Sequence, residues 1–126
     1  MHEYSIAFEI IDIAEKLAEE HQRPVRQIEV TFGAFSLANK DQLLFWFDIL
    51  SKEKPILKNA KFHFTDTPGV IQCNECGYNG PTSVPEENTL SHVLPIEFLI
   101  VCPKCGAKNT TIIDGMDIVV KEVILS

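Results

Sequence analysis

Cys73-Asn74-Glu75-Cys76-Gly77 is the stretch on which the fold turns, because the same form returns as Cys102-Pro103-Lys104-Cys105-Gly106 after the 25 residues from Gly77 to Val101. A two-residue spacer lets both sulfurs of a tight turn reach one metal ion, and the glycine that follows supplies backbone freedom. Two such knuckles facing each other make a tetrahedral four-sulfur site. Zinc suits it: a closed shell of cysteines satisfies that ion and leaves no position open for chemistry, so the expected role is structural. Four cysteines in two close pairs also fit a reducing compartment, where disulfides are rare.

Outward from the knuckles the pattern becomes that of a layered α+β fold. Upstream, Ala60-Lys61-Phe62-His63-Phe64-Thr65 alternates polar and apolar and is closed by Pro68-Gly69, and Gln27-Ile28-Glu29-Val30-Thr31-Phe32 does the same up to Gly33. Both read as half-buried strands. Between them Asn39 is a good N-cap, with Gln42 three residues on and Leu43, Leu44, Phe47 and Leu50 following, a helix that should stop before Pro55. From Ser5 to about Glu20, Ile6, Ile10, Ile13, Ala14, Leu17 and Ala18 recur at three- and four-residue steps, an amphipathic helix broken near Pro24. Downstream, Ile118 to Leu125 is a third strand candidate, rich in Val and Ile.

The expected architecture is therefore two helices on one face of a three-stranded sheet, with a zinc-ribbon-like Cys₄ domain inserted before the last strand. The boundaries fall at residues 1–69 plus 114–126 for a discontinuous α/β domain and 70–113 for the cysteine domain, which shows little helical or alternating pattern of its own. A segment of that size cannot bury enough apolar area to fold alone, so a metal would supply much of its folding free energy, on the order of 10 kcal/mol.

Composition removes several function classes. Eleven basic against eighteen acidic residues in 126 give a net charge of -7, a field that repels phosphate backbones and anionic lipid surfaces. Around the knuckles Lys104 and Lys108 are answered by Glu75, Glu86, Glu87 and Glu97, so a nucleic-acid-binding ribbon is disfavoured. No apolar run approaches the roughly 20 residues of a membrane span, and the first residues lack the order of a secretion signal, so a cytoplasmic protein is expected. The chain shows no phosphate loop, no H-E-x-x-H and no nucleophile paired with a base, hence no enzyme. A rubredoxin-like iron electron carrier is the alternative that the knuckles leave open.

The start of the chain, Met1-His2-Glu3-Tyr4-Ser5, carries a second donor set. A free α-amine, with a pKa near 8, becomes a nitrogen ligand once deprotonated; the next backbone nitrogens lie in the same plane, and His2 adds an imidazole within chelating reach. An all-nitrogen, near-planar set suits Ni(II) or Cu(II) rather than Mg(II) or Ca(II).

Together, the Met1-His2-Glu3-x-Ser5 opening, Gly33-Ala34-Phe35-Ser36 after the first strand, the two C-x-x-C-G knuckles and Asp114-Gly115 before the final strand resemble the HypA/HybF family of hydrogenase maturation nickel metallochaperones. The resemblance spans nearly the whole chain. It implies a nickel-binding domain and a zinc domain, with Met1, His2 and the Glu3 backbone or carboxylate as nickel ligands and Cys73, Cys76, Cys102 and Cys105 as zinc ligands. It also implies delivery of Ni(II) to the large subunit of a [NiFe]-hydrogenase, the GTPase HypB as partner and, in some organisms, urease and its maturation proteins as a further destination. Phe35 stands where leucine is usual. Ser91-His92-Val93-Leu94-Pro95 looks like the H-x-x-P of long-loop members, which makes His92 a further nickel ligand candidate. His63 is expected on the exposed sheet face and His21 at a helix end, neither as a ligand. Of Phe45-Trp46-Phe47 one ring must face outward, and Trp46 is the candidate partner anchor.

Overall fold

The computed structural model describes residues 3–83 and 99–126. Its elements run α1 (Glu3–His21), β1 (Val25–Gly33), α2 (Lys40–Lys52), a 3₁₀ turn (Pro55–Leu57), β2 (Lys61–Thr67), β3 (Gly69–Cys73), β4 (Asn79–Thr82), β5 (Thr110–Asp114) and β6 (Ile118–Leu125). Among the described residues the strands form two sheets of three, ordered β2-β1-β6 and β4-β3-β5. No helix of the described residues is long and apolar enough to cross a membrane.

The chain divides into two compact units, Met1–Thr31, Leu37–Thr65 and Ile118–Ser126 in one, Phe32–Ser36 and Asp66–Asp117 in the other. In the first, α1 buries Ile6, Ala7, Ile10, Ile11, Ala14 and Ala18. This stripe is rotated from the one read in the sequence: Ile11 is inside, whereas Ile13 is 53% exposed. The stripes 6, 10, 13, 17 and 7, 11, 14, 18 share the same four-three-four steps and differ by one position, about 100° around the helix, so periodicity alone does not choose between them and the packing does. The helix ends where Gln22 turns left-handed at φ 54°, and the Arg23 N–H closes it on the Ala18 carbonyl at 3.1 Å.

The start of α2 is the capped turn that the sequence called for. Asn39 is extended, and its side chain accepts the Gln42 N–H at 3.0 Å. Helix α2 lies against the sheet through Phe47, whose ring stacks on Phe62 of β2 with centroids 4.4 Å apart and planes within 8°. Val25, Ile28 and Val30 of β1 are buried at alternating or near-alternating positions, as a strand with one covered face requires.

The second unit contains a sheet that the sequence did not announce. Strand β3 pairs antiparallel with β4 through Val70–Pro81 and Ile71–Gly80, and with β5 through Ile71–Ile112 and Cys73–Thr110. Its core gathers Ile71, Cys73, Leu99, Ile100 and Cys102 around Phe35, which is 1% exposed. Phe35 belongs to the turn after β1, and three successive N–H groups fasten that turn: Gly33 to the Asp117 carbonyl at 3.0 Å, Ala34 to Thr67 at 2.9 Å and Phe35 to Gly115 at 2.8 Å. Compactness therefore draws the cysteine unit wider than residues 70–113, because the turn, the lead-in to β3 and residues 114–117 pack and bond within it. The crossing is close enough to demand glycine. A Cβ on Gly33 would collide with the Gly115 carbonyl, and one on Gly115, at φ 97°, would sit 2.7 Å from the Gly69 Cα.

Candidate metal centre

Each knuckle is a tight turn of the same build. The Gly77 N–H donates to the Cys73 carbonyl at 3.2 Å and the Gly106 N–H to the Cys102 carbonyl at 2.8 Å. Both glycines are left-handed, with φ 80° and 77°, and nothing lies within 4 Å of where a Cβ would stand, so the requirement is conformational rather than steric. The leading cysteine of each knuckle is buried and the second exposed. The buried sulfurs receive backbone N–H groups at 3.4 Å, from Glu75 and Cys76 onto Cys73 and from Lys104 onto Cys102.

The two knuckles bring their sulfurs together crosswise. Cys73 Sγ is 3.6 Å from Cys105 Sγ, Cys76 Sγ is 3.7 Å from Cys102 Sγ, and all four lie within 4.8 Å of one another. A tetrahedron with metal–sulfur bonds of about 2.3 Å has edges of about 3.8 Å, so the cross-knuckle pairs stand at the separation that one ion between them would set. A disulfide, at about 2.05 Å, is not formed.

The titration of the cluster reflects crowding of like groups. The Cys76 N–H, ahead of the opposing effect of burial, holds the Cys73 thiol down at about 7. For Cys102 burial pushes the thiol up, but the N–H groups of Cys105 and Lys104 and bonds from Cys76 and Cys105 outweigh it and leave it lowered. Cys105 is lowered by the Ala107 N–H, yet burial and its three sulfur neighbours push it up to about 12. Four sulfurs this close cannot all ionise unaided; a cation among them removes the conflict, and binding releases the remaining protons.

The sequence reading missed a polar clasp between the knuckles. The Asn74 N–H donates to the Asn109 carbonyl at 2.9 Å, while its side-chain amide donates to Asn109 Oδ1 at 3.1 Å and Thr111 Oγ1 at 3.2 Å. Asparagines in turns are common, and neither carries a signal that it bonds the other across 35 residues.

Of the proposed nickel ligands, Met1, His2 and His92 lie outside the described residues. Glu3 opens α1, and its Oε1 accepts the Asn39 N–H at 3.0 Å. Trp46 is half-buried, edge-on to Tyr4 at 4.9 Å, and the outward ring of the aromatic run is Phe45, 55% exposed. His21 is exposed in the last turn of α1. His63 is exposed on β2, with Nδ1 4.0 Å from Glu29 Oε1.

A family model described as "Hydrogenase/urease nickel incorporation, metallochaperone, hypA" matches residues 1–125. The hydrogenase maturation factor HypA of Methanosarcina acetivorans is 37% identical over 128 residues, covering 98% of this chain and 94% of its own. That of Methanothermobacter thermautotrophicus is 36% identical over 124 residues, covering 98% and 95%. The solution structure of the Ni metallochaperone HypA from Helicobacter pylori aligns with a TM-score of 0.65 at 24% identity, over 99% of this chain and 97% of that one, a likeness of fold. A second solution structure, of a HypA protein, aligns at 0.69 and 22% identity, over 100% and 97%.

Proposed function

The chain belongs to the HypA family of hydrogenase/urease nickel-incorporation metallochaperones, and on that premise we propose that it carries one Ni(II) at its amino terminus while zinc in the four-cysteine site holds its second unit together. It is a maturation factor, not an enzyme. The observation that carries the proposal is the cysteine geometry: four sulfurs within 4.8 Å saturate one tetrahedral ion, so a cargo cation needs another donor set. Zinc bound there supplies a cross-link and no reactive position.

The cargo site combines the Met1 amine, the His2 backbone nitrogen and the His2 imidazole, completed by Glu3, through its backbone or carboxylate, or by His92. The amine must lose its proton, so nickel binding weakens in acid. A terminal, accessible set of nitrogens exchanges its ion more readily than a buried cage, as hand-over requires. In this reading residues 1–69 plus 114–126 are the nickel-binding domain and 70–113 the zinc-binding domain. The partners are the GTPase HypB and the large subunit of a [NiFe]-hydrogenase in the cytoplasm, with urease maturation proteins as a further destination.

Nickel titration of tag-free protein tests it. One Ni(II) should bind the wild type and be lost in His2→Ala and in a variant with residues added before Met1. Unchanged affinity in either variant overturns the terminal site.

A further inference from the structure

Two contacts fasten the first turn of α1 to α2, and one uses the only carboxylate at the head of α1. Glu3 Oε1 accepts the backbone N–H of Asn39 at 3.0 Å. One residue on, the Tyr4 ring meets Trp46 of α2 edge-on, with centroids 4.9 Å apart. Asn39 is the N-cap of α2, extended at φ -88°, ψ 119°, and its side-chain oxygen, carbonyl and backbone N–H are all engaged. Its Oδ1 takes the Gln42 N–H and its carbonyl the Leu43 N–H, both at 3.0 Å, which leaves its own N–H for Glu3.

We infer that the Glu3 carboxylate is a positioning group rather than a nickel ligand: it ties the head of α1 to the cap of α2 and so fixes the base from which the terminal nitrogens reach. The inference rests on the terminal nickel site proposed above. For Oε1 to turn to a metal it would have to surrender the Asn39 N–H, leaving a helix cap with a lost hydrogen bond. Kept where it is, it does two things at once. It holds the first turn of α1 on the cap of α2, and its charge offsets the positive ends of both helices, which would otherwise repel a divalent cation at the terminus.

The two roles separate in a set of full-length, tag-free variants titrated with Ni(II) and followed by the nickel d–d spectrum. Glu3→Gln keeps the acceptor oxygen but is a poor metal ligand. It should bind nickel within about threefold of wild type, with an unchanged spectrum. Glu3→Ala should weaken binding by about threefold to tenfold, again without spectral change, because the same nitrogens hold the ion. Asn39→Pro removes the N–H and the cap, whereas Asn39→Ala removes only the cap; the proline variant alone should reproduce Glu3→Ala. Loss of nickel in Glu3→Gln equal to that in Glu3→Ala, with a shifted spectrum, would make the carboxylate a ligand and overturn the inference. If His2→Ala binds as wild type does, the terminal site itself fails, whatever Glu3 does. Should Asn39→Pro not fold, the Gln and Ala variants at Glu3 decide the matter by rescue and spectrum.

Discussion

The two compact units of the chain are held together by different forces. The α/β unit buries two helix stripes and a sheet face, with Phe47 stacked on Phe62 and Leu43, Leu50 and Leu57 fully or nearly buried. Among the described residues the cysteine unit has a core of six buried side chains, two of them cysteines, and the largest of the six, Phe35, comes from the turn after β1. Burial at about 25 cal/mol per Å² can sustain the first. The second is of a size at which a core alone is marginal, and in the zinc-bound form proposed above its cohesion falls to the metal and to the glycine crossing.

Stripping the metal is the largest perturbation of that contrast. Removing zinc with a strong chelator should unfold the cysteine unit, with a loss on the order of 10 kcal/mol of metal-binding free energy, and leave the α/β unit intact. Trp46 is the only tryptophan and sits in α2, so its fluorescence should persist while amide protection vanishes across β3, β4 and β5. A simultaneous loss of both signals would mean that the units are not separable in stability. Red protein with iron in place of colourless zinc protein would instead favour the electron-carrier alternative.

A matched pair of truncations sharpens the contrast. Phe47→Ala and Phe35→Ala each remove a fully buried ring, for about 3 to 5 kcal/mol. The first should lower the denaturant midpoint read by Trp46. The second should leave that midpoint nearly in place and speed zinc release to a competing chelator, although no ligand is touched. Equal effects on both readouts would erase the distinction.

Protons should act on one unit first. The Cys73 thiol is held at about 7 from an ordinary 9.0, so its contribution is present above 9 and fades as pH falls through 7. Zinc affinity follows the same direction, since protons compete for the sulfurs. It should be at least about tenfold weaker at pH 6 than at pH 8 in a competitive titration, with the Trp46 signal unmoved. The smallest effect belongs to the knuckle turns: alanine at Gly77 or Gly106 should cost about 1 to 2 kcal/mol through the left-handed backbone alone, measurable as a lowered midpoint for zinc-loaded cysteine-unit unfolding.

The α/β unit was legible in the sequence because its signals are local. The Asn39 cap, the alternation of β1 and β2, and the Ile118–Leu125 strand each announce themselves within a few residues. The four cysteines were legible for the same reason, as a repeated spacing. What escaped depends on partners far along the chain. Phe35 looks like an ordinary turn residue until β3 and Leu99–Cys102 close around it. The short strands of the cysteine unit, one of them Asn79-Gly80-Pro81-Thr82, carry the residues that usually mark loops, and only pairing with β3 makes them a sheet. Asn74 and Asn109 likewise gain meaning only from each other.

The interleaving of the two units has a consequence for synthesis on the ribosome. Every residue of the cysteine unit, Phe32–Ser36 and Asp66–Asp117, is translated before β6 begins at Ile118. The β2-β1-β6 sheet therefore waits for its third strand when both knuckles and the glycines of the crossing have already been translated. At about 5 to 20 residues per second the interval is short, yet closing a loop, at about 10 to 100 ns for ten residues, is faster still. The cysteine unit is thus fully translated before the α/β unit is, and the β2-β1-β6 sheet is the structure whose pairing must join segments made before and after it.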